Sequence, residues 1–168
     1  GKLDSTLYFN AAVAAYLSRN LEDAIKYFDN CTEYGVHAEK AYLLKYKLEK
    51  KTGKKEEAAK TLENGYKDFP NNKKIAYEYN FSKGSEFYKK GAAIIKETSD
   101  LQDSEKEEDI KKLNKAVKKA NKNFKEALPY LKKAYEAVPR KKVAQILKNV
   151  YTQLGMKDKA EEMQAKLE

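Results

Sequence analysis

The chain has 168 residues, 36% charged and 41% hydrophobic, and a net charge of +9. A single cysteine excludes an internal disulfide, a single histidine excludes zinc sites assembled from several His and Cys ligands, and 3 prolines with 7 glycines are too few for a turn-rich all-β fold. No apolar run approaches the ~20 residues that a bilayer-spanning helix requires.

Taken in order, the chain reads as helices. Leu7, Ala11, Ala14 and Ala15 form an apolar stripe at helical spacing, and Ser18-Arg19-Asn20 ends it. Leu21, Ala24, Ile25, Phe28 and Cys31 form a second stripe that stops near Gly35. A third helix ends at Thr52-Gly53-Lys54, where glycine suits a helix C-terminus. A fourth carries Ala58, Ala59, Leu62 and Tyr66 and stops at Phe69-Pro70, because proline disfavours helix at the residue before it.

These segments repeat. A shift of 34 residues puts Tyr8 on Tyr42, Ala24 on Ala58, Phe28 on Leu62, Cys31 on Gly65 and Val36 on Pro70. Large residues meet large ones and small meet small. The second half of the unit returns at Phe124-Lys125-Glu126-Ala127-Leu128 with Leu131, Ala134 and Pro139, and a partial unit holds Leu147, Tyr151, Leu154-Gly155 and Ala160.

The two returning copies stand 69 residues apart, Ala58 to Ala127 and Pro70 to Pro139. Either an extra repeat is hidden there or one repeat has much longer helices. The second reading is favoured. Tyr77, Phe81, Tyr88, Ala92 and Ile95 lie near one helical face, and Leu113, Ala116, Ala120, Phe124 and Leu128 do so on the return. Gly84 and Gly91, seven apart within the helical pattern, ease helix packing. Ser99 to Gln102 forms the hairpin tip, Ser104 with Glu107 reads as a capping box, and Pro129 predicts a kink or local break.

The recurring aromatic, turn, alanine, large residue four on, small residue three after that, and closing proline resemble the tetratricopeptide repeat. Tyr8-Phe9-Asn10-Ala11-Ala12 with Asp23-Ala24-Ile25-Lys26-Tyr27-Phe28 carries the likeness most clearly. The Ala127-Leu128-Pro129-Tyr130 stretch is similar to bacterial members with an extended third repeat. The resemblance implies an all-α, right-handed superhelical α-solenoid of helix hairpins, one with elongated helices. It forms a single domain over 1–168, with repeats at about 5–37, 39–72, an extended 73–139 and a C-terminal partial unit at 141–168.

The same resemblance implies a non-enzymatic protein- or peptide-binding scaffold whose groove is lined by the first helix of each repeat. By position it nominates Phe9, Asn10, Val13, Tyr16 and Leu17, then Leu43, Leu44 and Lys47, then Tyr79, Asn80, Lys83 and Phe87. Phe9, Val13 and Leu44 stand where some members place a carboxylate clamp, which argues against binding a C-terminal peptide carboxylate.

Charge supplies an alternative. Residues 1–72 hold 12 basic and 11 acidic groups, so the positive excess belongs to the back half. Lys111, Lys115, Lys118, Lys122 and Lys125 form a stripe in a segment without an acid, a candidate for anionic surfaces or polyanions. Only two arginines and no interleaved aromatics argue against nucleic acid. A third reading is self-association through the extended hairpin. No catalytic constellation, metal site or cofactor motif is present. Cys31 takes the small-residue position of the first repeat, and the acidic cluster 103–109 lacks the order of a calcium loop. The start at Gly1-Lys2-Leu3 weakly favours an exported protein over a cytoplasmic one.

Overall fold

The structure, a computed structural model, describes residues 2–168, with side chains from Thr6 onward; Gly1 lies outside the described residues. The described residues form α-helices and one short 3-10 turn and contain no strand. The chain falls into two compact units, Gly1–Ala76 and Tyr77–Glu168.

The first unit holds α1 (Lys2–Leu17), α2 (Leu21–Glu33), α3 (Ala38–Lys51) and α4 (Lys55–Asp68), each packed on the next. The turns fall where the sequence breaks. Arg19 adopts the left-handed conformation at φ 61°, and Asn20 then caps α2, its side chain accepting from the Asp23 N–H. Gly35 and Gly53 supply positive φ at the ends of α2 and α3. Asn72 accepts from the backbone N–H groups of Lys74 and Ile75, both at 3.1 Å, and so opens the next helix.

The repeat pattern maps onto burial. Ala24, Phe28 and Cys31 are buried, and so are Ala58, Leu62 and Gly65. The small positions are small because a neighbour occupies the space. A Cβ on Gly65 would stand 3.0 Å from Tyr42 Cγ. These are helix hairpins that repeat one order of buried large and small residues.

α1 departs from expectation. Its buried face carries Ala12, flanked by Tyr8, Phe9 and Ala15, while Leu7 and Ala14 of the predicted stripe are exposed. A helix with apolar residues on every side offers no periodicity from which to choose its core face.

The second unit contains most of α5 (Lys73–Glu97), a 3-10 turn at Ser99–Leu101, α6 (Glu107–Ala137), α7 (Lys141–Gln153) and α8 (Lys157–Ala165). At 25 and 31 residues, α5 and α6 are one elongated hairpin, with no extra turn near residue 121. Their close approach depends on the two glycines. A Cβ on Gly84 would stand 2.8 Å from Leu131 Cγ, and one on Gly91 would stand 2.7 Å from Phe124 Cε1. Ala127, Leu131 and Ala134 repeat the buried large-and-small pattern of the first unit. They share a core with Phe124, Val143, Leu147 and Val150. Asn149 ties α7 to α5 by donating to the Tyr88 hydroxyl at 3.1 Å.

Two local expectations are corrected. Ser104 and Glu107 make no capping box. Lys106 occupies the N-cap without a side-chain bond, Ser104 Oγ instead donates to Asp109 at 2.8 Å, and Glu107 pairs with Lys111 at 2.6 Å. Helix α6 also continues through Pro129, so the local break does not occur. Pro129 and Lys125 are both exposed, so the carbonyl that loses its helical partner is on the wet side, while buried Ala127 and Leu131 hold the helix in place.

Candidate functional site

The nominated groove positions divide between the two units. In the first unit they lie on α1 and α3. Phe9 is half-buried, edge-on to Phe28 at 6.1 Å and tilted against His37 at 4.8 Å, so it is a packed residue as much as a surface one. Val13 and Leu43 are half-buried, and Asn10, Leu44 and Lys47 are exposed.

The end of α1 is more open. Tyr16 and Leu17 are 43% and 73% exposed and, with Leu21, wall a shallow depression of about 560 Å³. Arg19 and Lys51 complete its lining. Neither cation was singled out by sequence, although Arg19 lies in the turn where the first stripe ends. The arrangement offers apolar contact beside positive charge.

In the second unit, Tyr79 and Lys83 are half-buried, and the Lys83 ammonium lies 5.9 Å from the Tyr79 ring centroid. Asn80 is only 2% exposed and is removed from the candidate surface, because it sits on a buried side of α5. Phe87 stacks on Tyr130 at 6.1 Å and packs against the core, which makes it mainly a hairpin residue.

A second feature escaped sequence reading. Ile25, Asp29, Lys45, Glu49, Glu57 and Lys60 are among the residues lining a charged cleft of about 300 Å³ between α2, α3 and α4. Lys45 binds the Asp29 carboxylate and lies 3.5 Å from Glu49. Glu49 is 2% exposed, and its Oε2 has no hydrogen-bond partner. A buried carboxylate with one free oxygen is held by its lysine, since losing that cation leaves an uncompensated charge. The Lys-Tyr-Lys-Leu-Glu run gives no periodic signal for a buried acid.

Lys115, Lys118, Lys122 and Lys125 are exposed along α6 and, among the described residues, form no ion pair. Lys111 is drawn to Glu107. Cys31 is buried, and burial raises its thiol pKa, which disfavours the reactive thiolate. In the acidic cluster, Asp109 and Glu107 are engaged by Lys112 and Lys111. Among the described residues, no group of three or more His, Cys, Asp or Glu side chains is placed to hold a metal, and no helix is long and apolar enough to cross a membrane.

No protein-family model and no curated protein matches the chain. Among solved structures it is similar to a TPR repeats protein from Bacteroides fragilis, at 22% identity over 88% of this chain and 82% of that one, with a TM-score of 0.47. It is also similar to a MamA protein, at 14% identity over 97% of this chain and 89% of that one, with a TM-score of 0.45. MamA from Desulfovibrio magneticus aligns at 15% identity over 97% and 92% of the two chains, with a TM-score of 0.44.

Proposed function

We propose that the chain is a non-enzymatic scaffold that binds a protein or peptide on α1 and α3 of its first unit. The observation that carries this reading is the depression beside Tyr16 and Leu17, with Arg19 and Lys51 on its lining. Its volume admits a large apolar side chain, and its cations favour an acidic group next to that side chain. The ligand is therefore an extended segment in which a bulky apolar residue adjoins Asp or Glu. Binding contributes little through area alone; one well-seated anchor supplies most of the affinity.

The test uses a displayed library of random peptides selected on the wild-type chain. Enriched sequences should combine an aromatic or aliphatic anchor with an acidic neighbour, and should lose about 1–2 kcal/mol of binding on Tyr16→Ala with Lys51→Glu. Peptides that bind wild type and variant equally would place the site elsewhere.

A second reading rests on the four unpaired lysines of α6, which suit a polyanion. Heparin is the probe. Its binding should fall steeply with salt and should weaken when Lys118 and Lys122 are changed to Gln. A salt-insensitive interaction removes this reading.

A further inference from the structure

Helix α1 has more apolar surface than its own unit covers. From Ser5 to Leu17 the sequence contains no charged residue. Ala12, with Tyr8, Phe9 and Ala15, faces the core, and the opposite side leaves Leu7 60% and Leu17 73% exposed, with Asn10 and Ala14 exposed between them. Helix α8 is different: it exposes Lys157, Asp158, Lys159, Glu161 and Glu162, a charged surface.

The exposed stripe has a definite spacing. Residues 7, 10, 14 and 17 alternate steps of three and four, the seam along which two helices interlock. It is also matched to its own reversal. Turned about Asn10, Leu7 takes the place of Ala14, so a large residue meets a small one.

We propose that this face is covered by α1 of a second copy of the chain, packed antiparallel about a two-fold axis at Asn10. An unrelated helix would not require the reversal symmetry; a second copy does, because a two-fold interface presents one surface to itself. Leu7 then packs on the partner's Ala14, and Asn10 meets the partner's Asn10, where each amide both donates and accepts. A single polar residue in such a seam sets register and orientation. Charge favours the same face. Two copies at +9 repel each other, and α1 brings them together along a stretch without opposed lysines. One helix pair of this length buries less than an obligate dimer does, so the association depends on concentration. The inference does not rest on the peptide-binding reading; Leu17 borders both surfaces and Asn10 is also a groove candidate, so the dissociating variants are at Leu7 and Ala14, and Asn10 serves only to read the register.

Sedimentation velocity over a concentration series should show a monomer–dimer equilibrium for the wild type and only monomer for Leu7→Lys. Leu7 is exposed, so that variant keeps the helical circular dichroism of the parent. Ala14→Leu should also weaken the dimer, and Leu7→Ala added to it should restore the large-and-small match. Single-cysteine variants then read the register. Asn10→Cys should oxidise to a covalent dimer. Leu7→Cys alone should not, because its two copies are about 9 Å apart along the helices, beyond disulfide reach; mixed with Ala14→Cys it should. Buried Cys31 stays silent. A wild type that is monomeric throughout, a dimer that survives Leu7→Lys, or Leu7→Cys that cross-links to itself as readily as Asn10→Cys overturns the proposal.

Discussion

Adding one methyl group at Gly84 tests how the elongated hairpin is held together. In a helix interior, Gly→Ala ordinarily stabilises by ~1 kcal/mol. Here the new Cβ would lie 2.8 and 2.9 Å from two Leu131 side-chain atoms and 3.1 Å from the Leu131 backbone nitrogen. Leu131 is fully buried between Ala127 and Ala134, so neither its side chain nor its backbone has room to retreat. Overpacking of this kind costs about 1–3 kcal/mol, which exceeds or cancels the propensity gain. Gly84→Ala should therefore lower the stability of the second unit by a net ~1 kcal/mol. Urea unfolding followed by far-ultraviolet circular dichroism measures this change. The decisive comparison is a double-mutant cycle. Leu131→Ala alone should cost about 2–5 kcal/mol through its cavity, and Gly84→Ala should cost less in that background, or stabilise, because both side-chain clashes are gone and only the 3.1 Å backbone contact remains. If Gly84→Ala raises stability in the wild-type background, α5 and α6 are not in the close contact described, and the role assigned to the glycine is wrong.

Three further outcomes follow from the first unit. The Tyr42 hydroxyl donates to Asp68 at 2.6 Å, and burial, followed by that bond and the Asp68 charge, pushes its pKa up to about 12. A raised folded pKa favours the protonated phenol, so its contribution is fully present below about pH 10, the unfolded value, and is lost as pH rises towards about 12. Tyr42→Phe should lower neutral-pH stability by about 0.5–1.5 kcal/mol and reduce the loss over that alkaline window, both measurable by urea titration. Lys45→Met should cost about 3 kcal/mol by stranding the Glu49 carboxylate, and adding Glu49→Leu should recover most of it; equal losses in single and double variants refute the pairing. Arg19→Gly should raise stability by about 1 kcal/mol, because φ 61° disfavours a residue with a Cβ. A lowered melting temperature in that variant would show that the arginine side chain outweighs its backbone cost.

Features that depend on local chemistry and on recurrence were legible in the residues alone. Gly35, Gly53 and Gly155, together with the Pro70 and Pro139 segments, stop helices for backbone reasons that need no partner. The triads Ala24-Phe28-Cys31, Ala58-Leu62-Gly65 and Ala127-Leu131-Ala134 announce buried helix faces because the same sizes recur in the same order. Periodicity failed where every side of a helix is alike. Apolar residues surround α1, so only the docking of α2 decided that Ala12 is covered and Leu7 is not. It failed again where a polar residue enters the interior. Glu49 and Asn80 look like surface residues in the sequence and are 2% exposed in the fold. The depression beside Tyr16 belongs to the same class, since it joins Arg19 to Lys51 across 32 positions of sequence. Turns and size patterns are carried by neighbours along the chain, whereas burial and the meeting of distant charges exist only after helices pack.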